Sequence, residues 1–105
     1  MRNIREALNT ARDEHGNLRC RVVRNQVGFD GEHRAAYGLG KGSPDLVGVL
    51  RSGRAFCIEV KSASGRVTPE QSAWWRAARS WGVTGGIAHS VAEAMALLDD
   101  AEVGV

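Results

Sequence analysis

Three ionisable residues of this chain stand where ions are expensive. Asp45 follows Pro44 at the head of one apolar run, and Glu59 and Lys61 alternate with Ile58 and Val60 in the next. A charge inside a strand is costly unless it is paired or bound to a metal. Two carboxylates at one spot repel, and a single lysine satisfies only one of them. A Mg²⁺ ion resolves the conflict, because it takes about six oxygen ligands and commonly uses one or two carboxylates with waters and phosphate. The neighbouring ammonium could then hold an attacking water or hydroxide, or neutralise charge on a phosphoryl transition state. The chemistry implied is hydrolysis of a phosphodiester. The alternative is a passive Asp–Lys–Glu network, although buried ionic groups are poor stabilisers.

The elements around these residues must bring them together. Leu46 to Leu50 reads as a short strand, Arg51-Ser52-Gly53-Arg54 as a hairpin turn, and Ala55 to Lys61 as the partner strand. A period of two puts Glu59 and Lys61 on one face and Phe56, Ile58 and Val60 on the other, as a core stripe. Pro44 cannot donate a ladder hydrogen bond, which holds Asp45 at the rim of its strand. The hairpin lays that rim beside the end of its partner, so Asp45 meets the Glu59–Lys61 pair.

Upstream, Ile4, Ala7, Leu8 and Ala11 recur at helical spacing and predict a helix over 3–15 that stops at Gly16. Leu18 to Gln26 reads as a strand, and 27–43, punctuated by five glycines, as a long loop. Downstream, Thr68-Pro69-Glu70-Gln71 predicts a capping box opening a helix to Trp81, with Gly82 as its stop. Val83 to His89 fits another strand, and Ser90-Val91-Ala92-Glu93 a second capping box for a helix through about Asp99. The order α-β-β-β-α-β-α predicts an α/β fold with a mixed sheet flanked by helices.

At 105 residues the chain is read as one domain, 1–105, able to close a core without staples. No apolar run approaches the length of a membrane span, and the first residues lack the apolar core of a signal peptide. An intracellular, cytoplasmic setting is expected, and Cys20 and Cys57 have no metal-type spacing. The net charge of +2 hides an asymmetry: over 1–92, fourteen Lys and Arg face eight Asp and Glu, a net of +6. That excess favours a polyanionic partner. Gly38-Leu39-Gly40-Lys41-Gly42-Ser43 hints at a phosphate loop but has the wrong spacing and leads into a strand, so no nucleotide cofactor is expected. His33 could enter the site from the loop as a proton donor, whereas His89, at a strand end, reads as a packing residue.

Pro44-Asp45 followed by Glu59-Val60-Lys61 resembles the PD-(D/E)xK nuclease signature. The wider run, Gly42-Ser43-Pro44-Asp45, Ile58-Glu59-Val60-Lys61, then Gly65, Thr68-Pro69 and Gln71, is similar to its VRR-NUC branch. The resemblance spans roughly 40–98. It implies a restriction-endonuclease-like fold and Mg²⁺- or Mn²⁺-dependent cleavage of DNA. Asp45, Glu59 and the Val60 carbonyl would be metal ligands and Lys61 the catalytic lysine. Gln71 would orient a catalytic group or the substrate, unless it serves only its capping box. Glu6, in the first helix, would approach the metal or be a plain solvated glutamate. Similarity to junction resolvases implies a homodimer acting on branched, flapped or junction DNA in replication, repair or recombination, and a phage or prophage origin.

Lys41, Arg34, Arg66, Arg19 and Arg21 are the candidate DNA contacts, each also readable as a surface charge. Trp74, Trp75 and Trp81 could stack bases, but their place beside Ala73, Ala77 and Ala78 favours core packing or a subunit interface, with Trp75, off the face shared by Trp74, Ala78 and Trp81, the candidate dimer contact. The rival to an enzyme is a catalytically silent DNA-binding module of the same fold, against which the complete Asp45–Glu59–Lys61 set argues.

Overall fold

The computed structural model describes residues 3–32 and 35–103. A four-stranded sheet in the order β1-β4-β5-β6 forms its centre. It contains β1 (Cys20–Arg24), β4 (Leu46–Leu50), β5 (Ala55–Val60) and β6 (Thr84–Ala88). The first three are antiparallel neighbours, and β6 runs parallel to β5 after a crossover through helix α2 (Pro69–Ser80). Helices α1 (Ile4–Thr10) and α3 (Val91–Val103) complete the α/β architecture.

The alternation of the strands sorts their side chains into two layers. Cys20, Val22, Leu46, Leu50, Phe56 and Ile58 form the main core with Leu8 of α1 and Ala94, Leu98 and Ala101 of α3. On the other face of β5, Cys57 and Glu59 are also buried. The side chain of Gln71, on α2, is bonded to Glu59, which sets this helix over that second face. Gln71, Trp75 and Ala78 recur at i, i+4 and i+7, the inward stripe of α2. Trp75 is therefore a packing residue, 6% exposed, and Trp81 is the outward one at 80%. This reverses the tryptophan assignment expected from periodicity, because the sheet decides which helix face turns inward.

Other boundaries move for local reasons. Helix α1 ends at Thr10, well before Gly16, because Asp13 Oδ1 accepts the N–H groups of His15 and Asn17 and closes a turn instead. The glycine-rich loop holds a second, two-stranded sheet, β2 (Gly28–Asp30) with β3 (Ala35–Tyr37). Phe29 and Tyr37 bring strand preference to a stretch where the glycines point to a loop. The α2 capping box is reciprocal as expected. In the second box, Ser90 Oγ accepts the Glu93 N–H, while the Glu93 carboxylate reaches back to the His89 N–H.

The outer edge of β1 is closed by a side chain. The Asn9 amide donates to the Val22 carbonyl and accepts the Val22 N–H, both at 2.8 Å, as a paired strand would.

Candidate active site

Asp45 lies one residue before β4, where the Asp45 carbonyl accepts the Asn25 N–H at 2.8 Å. The pairing of Leu46 with Ile58 sets it beside the end of β5. Its Oδ2 accepts the Val60 N–H at 2.9 Å, which fixes the carboxylate against the last residue of that strand. Glu59 is 3% exposed and its carboxyl adjoins that of Asp45. Burial and then the Asp45 carboxylate push the Glu59 pKa up to about 8, with Lys61 pulling weakly the other way. The three residues thus meet at one end of the sheet.

Gln71 bonds to its cap and to Glu59 at once. Its Oε1 accepts the Thr68 N–H at 3.0 Å, and its Nε2 donates to Glu59 Oε2 at 2.9 Å. The backbone donor dictates which end of the amide faces which partner, so the NH₂ group is directed at the carboxyl. The cap orients the amide, and the amide orients Glu59.

A residue that the spacing rules did not single out holds the other side. Asn25, just past β1, donates to Ser43 Oγ at 2.7 Å and to the Pro44 carbonyl at 2.8 Å, and accepts the Leu39 N–H. It ties the approach to Asp45 onto the end of the sheet. The strand expected over 18–26 takes in Asn25, and its partners lie 14 to 19 positions away. In the same segment Gly42 has φ 86°, and a Cβ there would run into the Glu70 carbonyl of α2. Only glycine lets the loop pass so near the helix.

Other expected residues divide. Lys41 lines a cavity of about 430 Å³ together with Asp45, Glu59 and Gln71, and stands 3.8 Å from Glu70. Arg66 is exposed in the loop that follows Lys61, and Arg21 is exposed on β1. Arg19 is at the far end of the sheet, with its guanidinium bound by Asp99 and Glu102 of α3. Glu6 is exposed on the first turn of α1 and lines neither cavity that contains Asp45. Arg34 and His33 lie outside the described residues. Val60 departs from the core stripe: Phe56 and Ile58 are fully buried, but Val60 is 40% exposed. It lies on the wall of a large cleft.

Among the described residues, no three His, Cys, Asp or Glu side chains converge as a metal cage. Two adjoining carboxylates beside a strand-end carbonyl are a sparse oxygen donor set. That suits a hard cation that keeps several waters, as Mg²⁺ does, better than one needing a complete protein cage.

The family model for the VRR-NUC domain matches residues 2–92, which includes every residue of this site. Neither a curated protein nor a solved structure matches the chain. With the Pro-Asp and Glu-x-Lys segments joined at one sheet end and the family model spanning most of the sequence, the chain belongs to the VRR-NUC domain family, a family of PD-(D/E)xK nucleases.

Proposed function

We propose that this nuclease is a divalent-metal-dependent DNA endonuclease whose reaction is carried by Asp45, Glu59 and Lys61. The observation that carries the proposal is the abutting Asp45 and Glu59 carboxyls, one of them forced towards its neutral form by burial. A cation between them would remove that conflict. Asp45, Glu59 and the Val60 carbonyl would hold Mg²⁺ or Mn²⁺, which would act as a Lewis acid on the phosphate and make a water easier to deprotonate to the attacking hydroxide.

The protein's own groups prepare the site. Val60 N–H and Gln71 Nε2 each hold one carboxylate oxygen, leaving the other oxygen of each group for the cation. The Lys61 stem runs close beside Gly65 of the following turn, where a Cβ would crowd it. The Lys61 ammonium can hold the attacking water or balance charge developing on the phosphate. Lys41, Arg21 and Arg66, all exposed, would contact the DNA backbone.

The preferred substrates are branched, flapped or junction DNA. The active form is a homodimer, a reading supported by the outward indole of Trp81 and by Val23 and Val49, exposed on one sheet face. The substitutions Asp45→Asn and Lys61→Ala test the assignment. Each should abolish Mg²⁺- or Mn²⁺-dependent cleavage while the circular dichroism spectrum and unfolding transition persist. Undiminished cleavage by either folded variant overturns it.

A further inference from the structure

The sheet end that carries Asp45 opens on both faces. On the α2 side is the small cavity with Glu59 and Gln71. On the other side, between the first turns of α1 and α3, lies a cleft of about 1260 Å³. Asp45, Asn25 and Val27 line both, so the two spaces adjoin at the catalytic carboxylate. The cleft has apolar walls from Ile4, Leu46, Val60 and Val91, and Val60 is the residue left 40% exposed where a core position was expected.

Its rim has the opposite character. Arg5 and Arg24 both line it, and Asp45 is the one acid among its lining residues. Neither arginine makes an ion pair among the described residues. Elsewhere Arg19 is bound by Asp99 and Glu102, and Arg51 by Asp13. Apolar walls under uncompensated cations fit an anionic ligand with a flat apolar body. The Asn3 and Gln26 amides add groups able to read polar edges.

We propose that this cleft takes an unpaired nucleobase of the substrate strand, next to the phosphodiester being cut, while Arg5 and Arg24 hold its flanking phosphates. The inference rests on the DNA-nuclease reading and extends it to a source of structure selectivity. A base inside a duplex must leave its stack to enter such a space, at a cost of a few kcal/mol, whereas a base in a flap or at a junction is already free. Cleavage should therefore concentrate where the strand is unpaired beside the cut.

The test uses the full chain and single-stranded oligonucleotides carrying 2-aminopurine, titrated in EDTA so that binding is read without cleavage. Ala92, exposed on the cleft wall, is changed to tryptophan to fill the space, and Arg24→Gln removes one cation. The expected result is a position-specific fluorescence change in the wild type that Ala92→Trp abolishes, with binding roughly tenfold weaker in Arg24→Gln. An abasic site at the responsive position should weaken wild-type binding but leave Ala92→Trp binding unchanged. An abasic penalty of equal size in both proteins, or none in either, overturns the inference. If Ala92→Trp does not fold, an unchanged affinity of Arg24→Gln overturns it instead. A fluorescence response without cleavage of any DNA in Mg²⁺ or Mn²⁺ would refute the catalytic reading and leave the cleft assignment standing.

Discussion

Glu59 makes the metal-free protein sensitive to pH in a direction that its environment fixes. The carboxyl is pushed from an ordinary 4.5 to about 8. The unfolded chain releases this proton near pH 4.5, while the folded chain keeps it. Stability from the protonated group is therefore complete below about pH 4.5 and declines as the pH rises towards 8. At pH 7 the span from 4.5 corresponds to a loss of about 3 kcal/mol, a large share of a small domain's total. Asp13 is lowered by the Asn17 N–H and Glu93 by His89, so both act at the acid end and add no falling slope above pH 5.

The decisive perturbation is Glu59→Gln. The amide can accept from Gln71 and donate to Asp45 as the protonated acid does, but it cannot ionise. Urea unfolding in EDTA between pH 5 and 8 should show falling wild-type stability and a much flatter profile for the variant. The same carboxyl governs cation binding. At pH 7 a divalent ion must displace close to one proton, and its affinity should rise about tenfold per pH unit below 8. Calorimetry in buffers of different ionisation enthalpy measures that proton directly. A wild-type profile that is flat or rising, or Mg²⁺ binding without proton release at pH 7, would refute the reasoning.

Gln71→Ala removes a donor to Glu59 and half of the α2 capping box. It should lower stability by about 1–2 kcal/mol in urea and reduce the rate of Mg²⁺-dependent cleavage by more than its effect on DNA binding. Asn25→Ala frees the segment leading to Asp45, and should cost about 2–3 kcal/mol with a marked loss of cleavage, read by unfolding and single-turnover assays. Gly48→Ala places a Cβ against the Arg21 carbonyl of the neighbouring strand. It should cost more than about 3 kcal/mol, seen as a collapsed thermal transition or loss of soluble protein.

The site was legible because its signals are local. Proline before Asp45, period two through Glu59 and Lys61, and the Thr68–Gln71 box each act within a few residues, and a tight hairpin does the joining. What was hidden depends on partners far along the chain. The grip of Asn25 on the loop and the binding of Arg19 by α3 span gaps that periodicity does not cross. The burial of Trp75 and exposure of Val60 follow from where helices lie on the sheet, and a strand's own pattern cannot state where its cover ends. Helix α1 is shorter than its apolar spacing predicts because Asp13 Oδ1 offers the backbone a competing acceptor.

The Asn9 amide that brackets Val22 constrains how copies of this protein can assemble. An open strand border invites a second chain to zip on, extending one continuous sheet through two molecules. Here the groups such a visitor would need at the middle of β1 are already engaged by a short side chain from the same molecule. At the β1 border, therefore, a second copy cannot extend the sheet, and strand-to-strand assembly is left only to β6, the other edge. Asn9→Ala would unlock that border, making runaway strand addition, and with it fibrous aggregates, the expected failure of a variant whose chemistry is untouched.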